Sequence, residues 1–364
     1  MFPLLLSSLL ASPAQATESV EMNVILTIHA GEGDCIFEDV ITPWDSGFQT
    51  CRDALKEILE ELETMGIAAE VQFQPGFLSL LDMDRSADAF DFEADLLDRG
   101  HGLGLHIHAQ CLKPLDSKGN CSGFGVWGNT SGSTSPTQDV FELRARSLRS
   151  TGENVGQSYH SFNVWGWSHR IETDLSGGDT TAIDFLNTQG FRYAVGTNVG
   201  KEYAKSSTDD CYDGYRIDTA DTYRAVPHPF KVAGGVGGRA HVVVYSAATP
   251  KWGDPGYNSA IVEAGFDDAM SCAHDRVVNA ADTGWDGELF TYAGFTHLHN
   301  LKEDVDKDGV YDGLGDLEEF MEMADTLAED YSDDDVTFSV VYRNVSTLEG
   351  MRQAHEAEGG DYDH

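Results

Sequence analysis

Histidines two residues apart occur twice in this chain, as His106-Ile107-His108 and His297-Leu298-His299, and a third group, His29 with Glu32 and Asp34, follows an early apolar run. Residues i and i+2 of a β-strand project from one face, so His106 and His108 can both reach a single metal ion. Two imidazoles with one carboxylate suit zinc or a similar divalent ion. Such a site keeps a position for water, whose pKa the metal lowers until it can attack an acyl carbon.

A separate constellation of oxygen donors lies at Asp304-Val305-Asp306-Lys307-Asp308-Gly309-Val310-Tyr311-Asp312. Asp304, Asp306, Asp308 and Asp312 take positions 1, 3, 5 and 9 of a calcium loop, Gly309 the sharp turn at 6, and Val310 offers its carbonyl at 7. Gly315 stands where an EF-hand has its bidentate Glu, so the loop resembles the D-x-D-x-D-G-x-x-D loops of thrombospondin-type and exported bacterial proteins. Asp316 is a further candidate ligand. Calcium is expected here because clustered aspartates repel one another unless a cation lies between them, and its role would be structural, ordering the loop that follows His297. Trp165 and Trp167 are candidate platforms for sugar rings; Trp252 and Trp285 are weighed with them against simple core packing.

These residues need a scaffold, and the chain alternates strand and helix signals. Val24 to Ile28, Ala69 to Phe73, Leu103 to His108, Ser161 to Trp167, Phe191 to Val195, Ala240 to Tyr245, Leu289 to Phe295 and Val336 to Val341 read as strands. Helical periodicity lies between them at about 49–65, 87–97, 140–150, 182–188, 259–280 and 316–330, and a last helix starts at Thr347. Such alternation implies parallel βαβ units, and at this length a (β/α) barrel of seven or eight strands is expected, with a doubly wound open sheet as the runner-up. The reactive groups would then collect at the C-terminal strand ends. Stretches 112–138 and 200–239 read as surface excursions from one domain spanning 17–364.

With 41% hydrophobic residues among 364 the chain can build a substantial core. Its 62 Asp and Glu against 23 Lys and Arg give a net charge of −39, which argues against nucleic-acid partners and anionic membrane surfaces. No later stretch suits a membrane span. Residues 1–16, with an apolar run from Phe2 to Leu10 and Ala14-Gln15-Ala16, read as a signal peptide, so a secreted or periplasmic protein is expected. Cys35, Cys51, Cys111, Cys121, Cys211 and Cys272 then read as disulfide cysteines, paired between neighbours as 35–51, 111–121 and 211–272.

The segment Arg99-Gly100-His101-Gly102-Leu103-Gly104-Leu105-His106-Ile107-His108 resembles the "GHEIGLHxH" metal-binding segment of the polysaccharide deacetylase family, metal-dependent esterases that remove acetyl groups from glycans. Leu26-Thr27-Ile28 resembles that family's first strand, Ala182 to Leu186 with Gly190 to Tyr193 its middle segment, Phe295 to His299 its late "HxH" strand, and Val336-Thr337-Phe338 with the closing helix its last unit. The resemblance implies a distorted seven- or eight-stranded barrel of polysaccharide deacetylase type, a zinc-like metal on Asp34, His106 and His108, Glu32 as general base, and His297 as general acid. The substrate would be an acetylated polysaccharide or oligosaccharide. Three departures stand out: Gln110 stands where the family's second metal histidine is usual, so that His108 substitutes for it, His29-Ala30 replaces the family's paired aspartates, and Phe162-Asn163 replaces its usual Phe-Arg. A catalytically silent, calcium-stabilised glycan-binding barrel is therefore the alternative, and a glycoside hydrolase the third reading.

Overall fold

The computed structural model of the chain describes residues 18–31, 43–44, 46–73, 75–107, 160–164, 191–197, 241–244, 252–253, 258–287, 289–301 and 312–360. Its centre is a long strand, β1 (Glu18–Ala30), which pairs in parallel with three others. β2 (Ala69–Phe73) lies along its C-terminal half and β8 (Val336–Tyr342) along its N-terminal half, while β7 (Phe290–His297) takes the opposite edge. β3 (Gly102–Ile107) pairs with β2, completing a parallel core of five strands. The sheet continues through β4 (His160–Val164), β5 (Phe191–Thr197) and β6 (His241–Val244), again in parallel. No pairing joins β6 to β7 among the described residues.

The two faces of this sheet differ in kind. Val20, Met22, Val24, Leu26, Ile28 and Ala30 of β1 point to one side, with Ala69, Val71 and Phe73 of β2 and Leu103 of β3. Against that apolar face pack α1 (Ser46–Thr64), α2 (Pro75–Met83), α3 (Ser259–Val278) and α6 (Asp312–Asp330). Each supplies residues at helical spacing: Leu55, Ile58, Leu59 and Leu62 from α1, Phe266, Met270 and Ala273 from α3, Leu317, Phe320 and Ala324 from α6. Phe266 meets Tyr292 of β7 edge-on at 5.0 Å and Phe320 at 5.5 Å. At about 1.5–3 kcal/mol for each large apolar side chain fully buried, this layer is the main source of stability.

The other face carries Asn23, Thr27 and His29 of β1 and Glu70 and Gln72 of β2, and all five are buried. It is a buried face of mixed character, polar at these positions and apolar at Ile25. Its N-terminal end is closed by α7 (Val345–Ala357), whose Val345 and Leu348 cluster with Ile25 and Ala293. Asn344 caps that helix by accepting the Thr347 N–H at 2.8 Å, and its amide donates to the Gly100 carbonyl. Glu70 Oε2 accepts the Val345 N–H at 3.3 Å, at the N-terminus of that helix. Gly102 lies directly beside it, and a β-carbon there would overlap the Glu70 carboxyl group.

Element boundaries mostly follow the periodicity of the sequence. α1 ends where Gly66 adopts φ 76°, with Ile67 N–H donating to the Leu62 carbonyl at 2.8 Å and Gly66 N–H to Glu63 at 3.0 Å. The helix expected over 87–97 is only a π-helical turn, Glu93–Leu97. Phe90 and Phe92 both pack on Phe73, at 6.0 and 5.5 Å, and residues two apart cannot share a helix face. The strand expected to carry both His297 and His299 ends at His297; His299 belongs to a short helix, α5 (Leu298–Leu301). A one-turn helix, α4 (Ala280–Thr283), follows α3 and ends on Gly284 at φ 74°. The expected helices 140–150 and 182–188, and both excursions, lie outside the described residues. No helix among the described residues is long and apolar enough to cross a membrane.

Candidate functional site

The parallel strands bring their C-terminal ends to one edge. Register sets His29 level with His297 on one side and Gln72 on the other, and Gln72 level with Gly104. Side-by-side residues of parallel strands share a face, so position 106, two beyond Gly104, belongs to the same face as His29, Gln72 and His297. Asn163 of β4 stands level with His106. The polar face therefore gathers all three histidine-bearing strands that the sequence marked.

At the edge between β1 and β7 the rings form a cluster. His29 stacks on Phe295 at 5.1 Å with planes 20° apart, and meets His297 edge-on at 5.3 Å and 63°. His297 in turn stacks on His299 at 5.3 Å and 21°. His29 is 3% exposed, whereas His297 and His299 are half-buried. One step below His29 on the same face, Thr27 is fully buried, and its hydroxyl has no hydrogen-bond partner among the described residues. Ala30 is buried among the apolar residues of the opposite face and offers no donor. The chain turns immediately after it, at Gly31 with φ 111°.

Of the zinc-like set, Asp34 and His108 lie outside the described residues, as does the candidate base Glu32; for His106 the backbone in β3 is described. Among the described residues no group of three or more His, Cys, Asp or Glu is arranged to hold a metal. Trp165 and Trp167 also lie outside the described residues. Trp252, by contrast, is fully buried against Phe320 at 5.2 Å, and the Thr296 hydroxyl donates to its carbonyl at 2.6 Å. Trp285 is partly buried and stacks on Phe290 at 6.3 Å.

His101, at the start of the deacetylase-like segment, is a structural residue. Its Nδ1 accepts the Ala69 N–H at 3.0 Å, so the neutral ring carries its proton on Nε2. Burial, with the nearby Arg99 charge adding to it against Glu63, lowers its pKa to about 4.

The calcium-like positions Asp304, Asp306, Asp308 and Val310 lie outside the described residues, and Asp312 begins α6. The two ends of that segment meet: a β-carbon on Gly313 would lie 3.0 Å from the Asn300 carbonyl oxygen and 3.1 Å from Leu301 Cα. Gly253, at φ 72°, has equally little room: a β-carbon there would lie 3.0 Å from the Asn300 carbonyl oxygen and 3.0 Å from Gly313 Cα. Asp316 accepts the Gly253 N–H at 2.8 Å through Oδ2, tying the first turn of α6 to residues 252–253. Sequence patterning did not anticipate that pinch, although two glycines without a turn signature are its trace.

No described cysteine is free, and Cys51 and Cys272 are each disulfide-bonded. Their expected partners Cys35 and Cys211, and the pair Cys111 and Cys121, lie outside the described residues. Compared with protein-family models the chain matches none, and no curated protein matches it.

Proposed function

We propose that the chain is an exported, metal-dependent hydrolase that removes acetyl groups from a polysaccharide or oligosaccharide, built on a distorted (β/α) barrel. The observation that carries it is the level placement of His29, Gln72 and His297 at the C-terminal edge of three parallel strands, with position 106 on the same face. Burial of both sheet faces is compatible with the barrel and with a doubly wound sheet alike; it argues only against an open sheet with helices on one side, which would leave Thr27, Glu70 and Gln72 wet.

Asp34, His106 and His108 would hold a zinc-like ion. The donor set suits it chemically, and because Ala30 brings no side-chain donor to the end of β1, Asp34 would supply the carboxylate. When bound, the ion polarises the acetyl carbonyl and lowers the pKa of the attacking water. Glu32 takes a proton from that water as the new C–O bond forms. His297, the half-buried imidazole, then gives its proton to the departing amine or alkoxide as the C–N or C–O bond breaks. Calcium on Asp304, Asp306, Asp308, the Val310 carbonyl and Asp312, with Asp316 beside them, would order the segment between α5 and α6. Pinning of that segment's two ends supports a closed loop.

The second reading, a silent glycan-binding barrel, is favoured by the absence of a carboxylate at the end of β1. Acetate release from acetylated chito-oligosaccharides separates the two. The wild-type protein is expected to release acetate and His106→Ala to release none; a wild-type protein that binds the oligosaccharide and releases nothing favours the second.

A further inference from the structure

His297 and His299 stand where β7 passes into α5, and both ends of that short turn are fastened to the same two residues, Trp252 and Gly253. Thr296 is level with Ile28, so its side chain faces the apolar layer, away from the face that carries His297. A hydroxyl buried there needs a partner, and this one donates to the Trp252 carbonyl at 2.6 Å. It has a single hydrogen, and the His297 carbonyl, at 3.5 Å, is too far to compete for it. At the other end the Asn300 carbonyl oxygen lies so close that a β-carbon on Gly253 or Gly313 would approach it to 3.0 Å. Trp252 and Gly253 are themselves held by α6: the indole ring is fully buried against Phe320, and the Gly253 N–H donates to Asp316 Oδ2 at 2.8 Å. Between the two fastenings the Leu298 side chain is fully buried, while the rings of His297 and His299 are half-buried and stacked.

We infer that Trp252 and Gly253 clamp the turn that carries His297, and that Thr296 is a positioning residue whose hydroxyl, through the Trp252 carbonyl, sets where the His297 ring meets the leaving group. This rests on the reading above, in which His297 supplies the leaving group's proton. A proton donor must be held within a fraction of an ångström of its productive place, and a ring on an unfastened turn is not. Because His297 acts as the bond breaks, loosening the clamp lowers kcat and leaves KM nearly as it was.

The test compares the full mature protein as wild type, as Thr296→Val, which keeps the shape and loses the hydroxyl, and as Thr296→Ser, which keeps the hydroxyl. Acetate release from acetylated chito-oligosaccharides is measured together with the histidine ring signals in ¹H–¹³C NMR. In Thr296→Val kcat should fall about tenfold or more with KM within about twofold. The His297 and His299 ring signals should move, while that of His101, bonded to the Ala69 N–H, stays. Thr296→Ser should restore both readings. A folded Thr296→Val protein with the kcat and His297 signals of the wild type overturns the inference, and so does a loss of kcat that Thr296→Ser leaves unrepaired. Should Thr296→Val fail to fold, amide exchange in the wild type decides: the Gly253 N–H must be as protected as the amides of β7, and exchange at the rate of an open chain overturns the clamp. A wild type that releases no acetate removes the acetyl-hydrolysis reading and leaves the clamp to stand or fall on the ring signals; acetate release with ring signals unmoved in Thr296→Val does the reverse.

Discussion

Replacing His101 with Asn should change how stability depends on pH while leaving the fold intact. In the native chain the His101 ring is 2% exposed and its pKa lies at about 4, against 6.5 when free. The folded value is depressed, so as pH falls below 6.5 the unfolded chain takes up a proton that the folded chain refuses. Stability is lost progressively until about pH 4, below which both states are protonated. A shift of that size corresponds to about 3 kcal/mol. Asn places an amide oxygen where Nδ1 accepts the Ala69 N–H, and it does not titrate. Urea unfolding at intervals from pH 7.5 to 4 should therefore show the wild type losing about 3 kcal/mol more than His101→Asn across that window. Carboxylates titrating in the same range affect both proteins and cancel in the difference. Parallel stability curves would refute the burial and tautomer assigned to His101.

The buried Arg52–Asp84 pair joins α1 to the end of α2 at 2.7 Å. Burial by itself would raise the Asp84 carboxyl, but the Ser86 N–H and the Arg52 guanidinium hold it below its ordinary value. Its contribution is therefore present above about pH 4 and lost as pH falls through the folded pKa. Asp84→Ala should cost about 3 kcal/mol in urea unfolding, the low end for a broken buried pair because Asp53 still contacts Arg52 at 2.6 Å; a loss below about 1 kcal/mol would contradict this. Gly102→Ala should lower stability by about 2 kcal/mol through overlap with Glu70, whereas Gly315→Ala, in open space on α6, should raise it by about 0.5 kcal/mol; differential scanning calorimetry reads both. Calcium at about a hundred times its Kd should stabilise the wild type by about 2.7 kcal/mol and Asp306→Ala not at all, measured as a shift in Tm.

Much of the fold was legible because short β-prone apolar runs alternate with stretches of helical periodicity. The continuous run Val24 to Ile28 marks a strand buried on both faces, and the Leu and Ile spacing of α1 marks that helix. The stretch 87–97 was misread because aspartate and leucine spacing looked helical, whereas contacts of Phe90 and Phe92 with Phe73, far away in sequence, decide its conformation. The site was legible only in part. His106 and His297 were found by their spacing, but the ring contact of His29 with His297 depends on β1 lying beside β7, a pairing of residues that local sequence does not encode. For the same reason His101, within the most motif-like segment, turned out to hold Ala69 in place. The expectation that His299 extends a strand failed because the chain enters α5 at Leu298, whose side chain is buried in the apolar layer.

Metal content of the purified mature protein tests the proposed hydrolase most directly. Elemental analysis should find one zinc-like ion per chain in the wild type, lost in His106→Ala and in Asp34→Asn and retained in His297→Ala. Equal metal in the wild type and in both ligand variants, or none in any of them after loading with zinc, would contradict it.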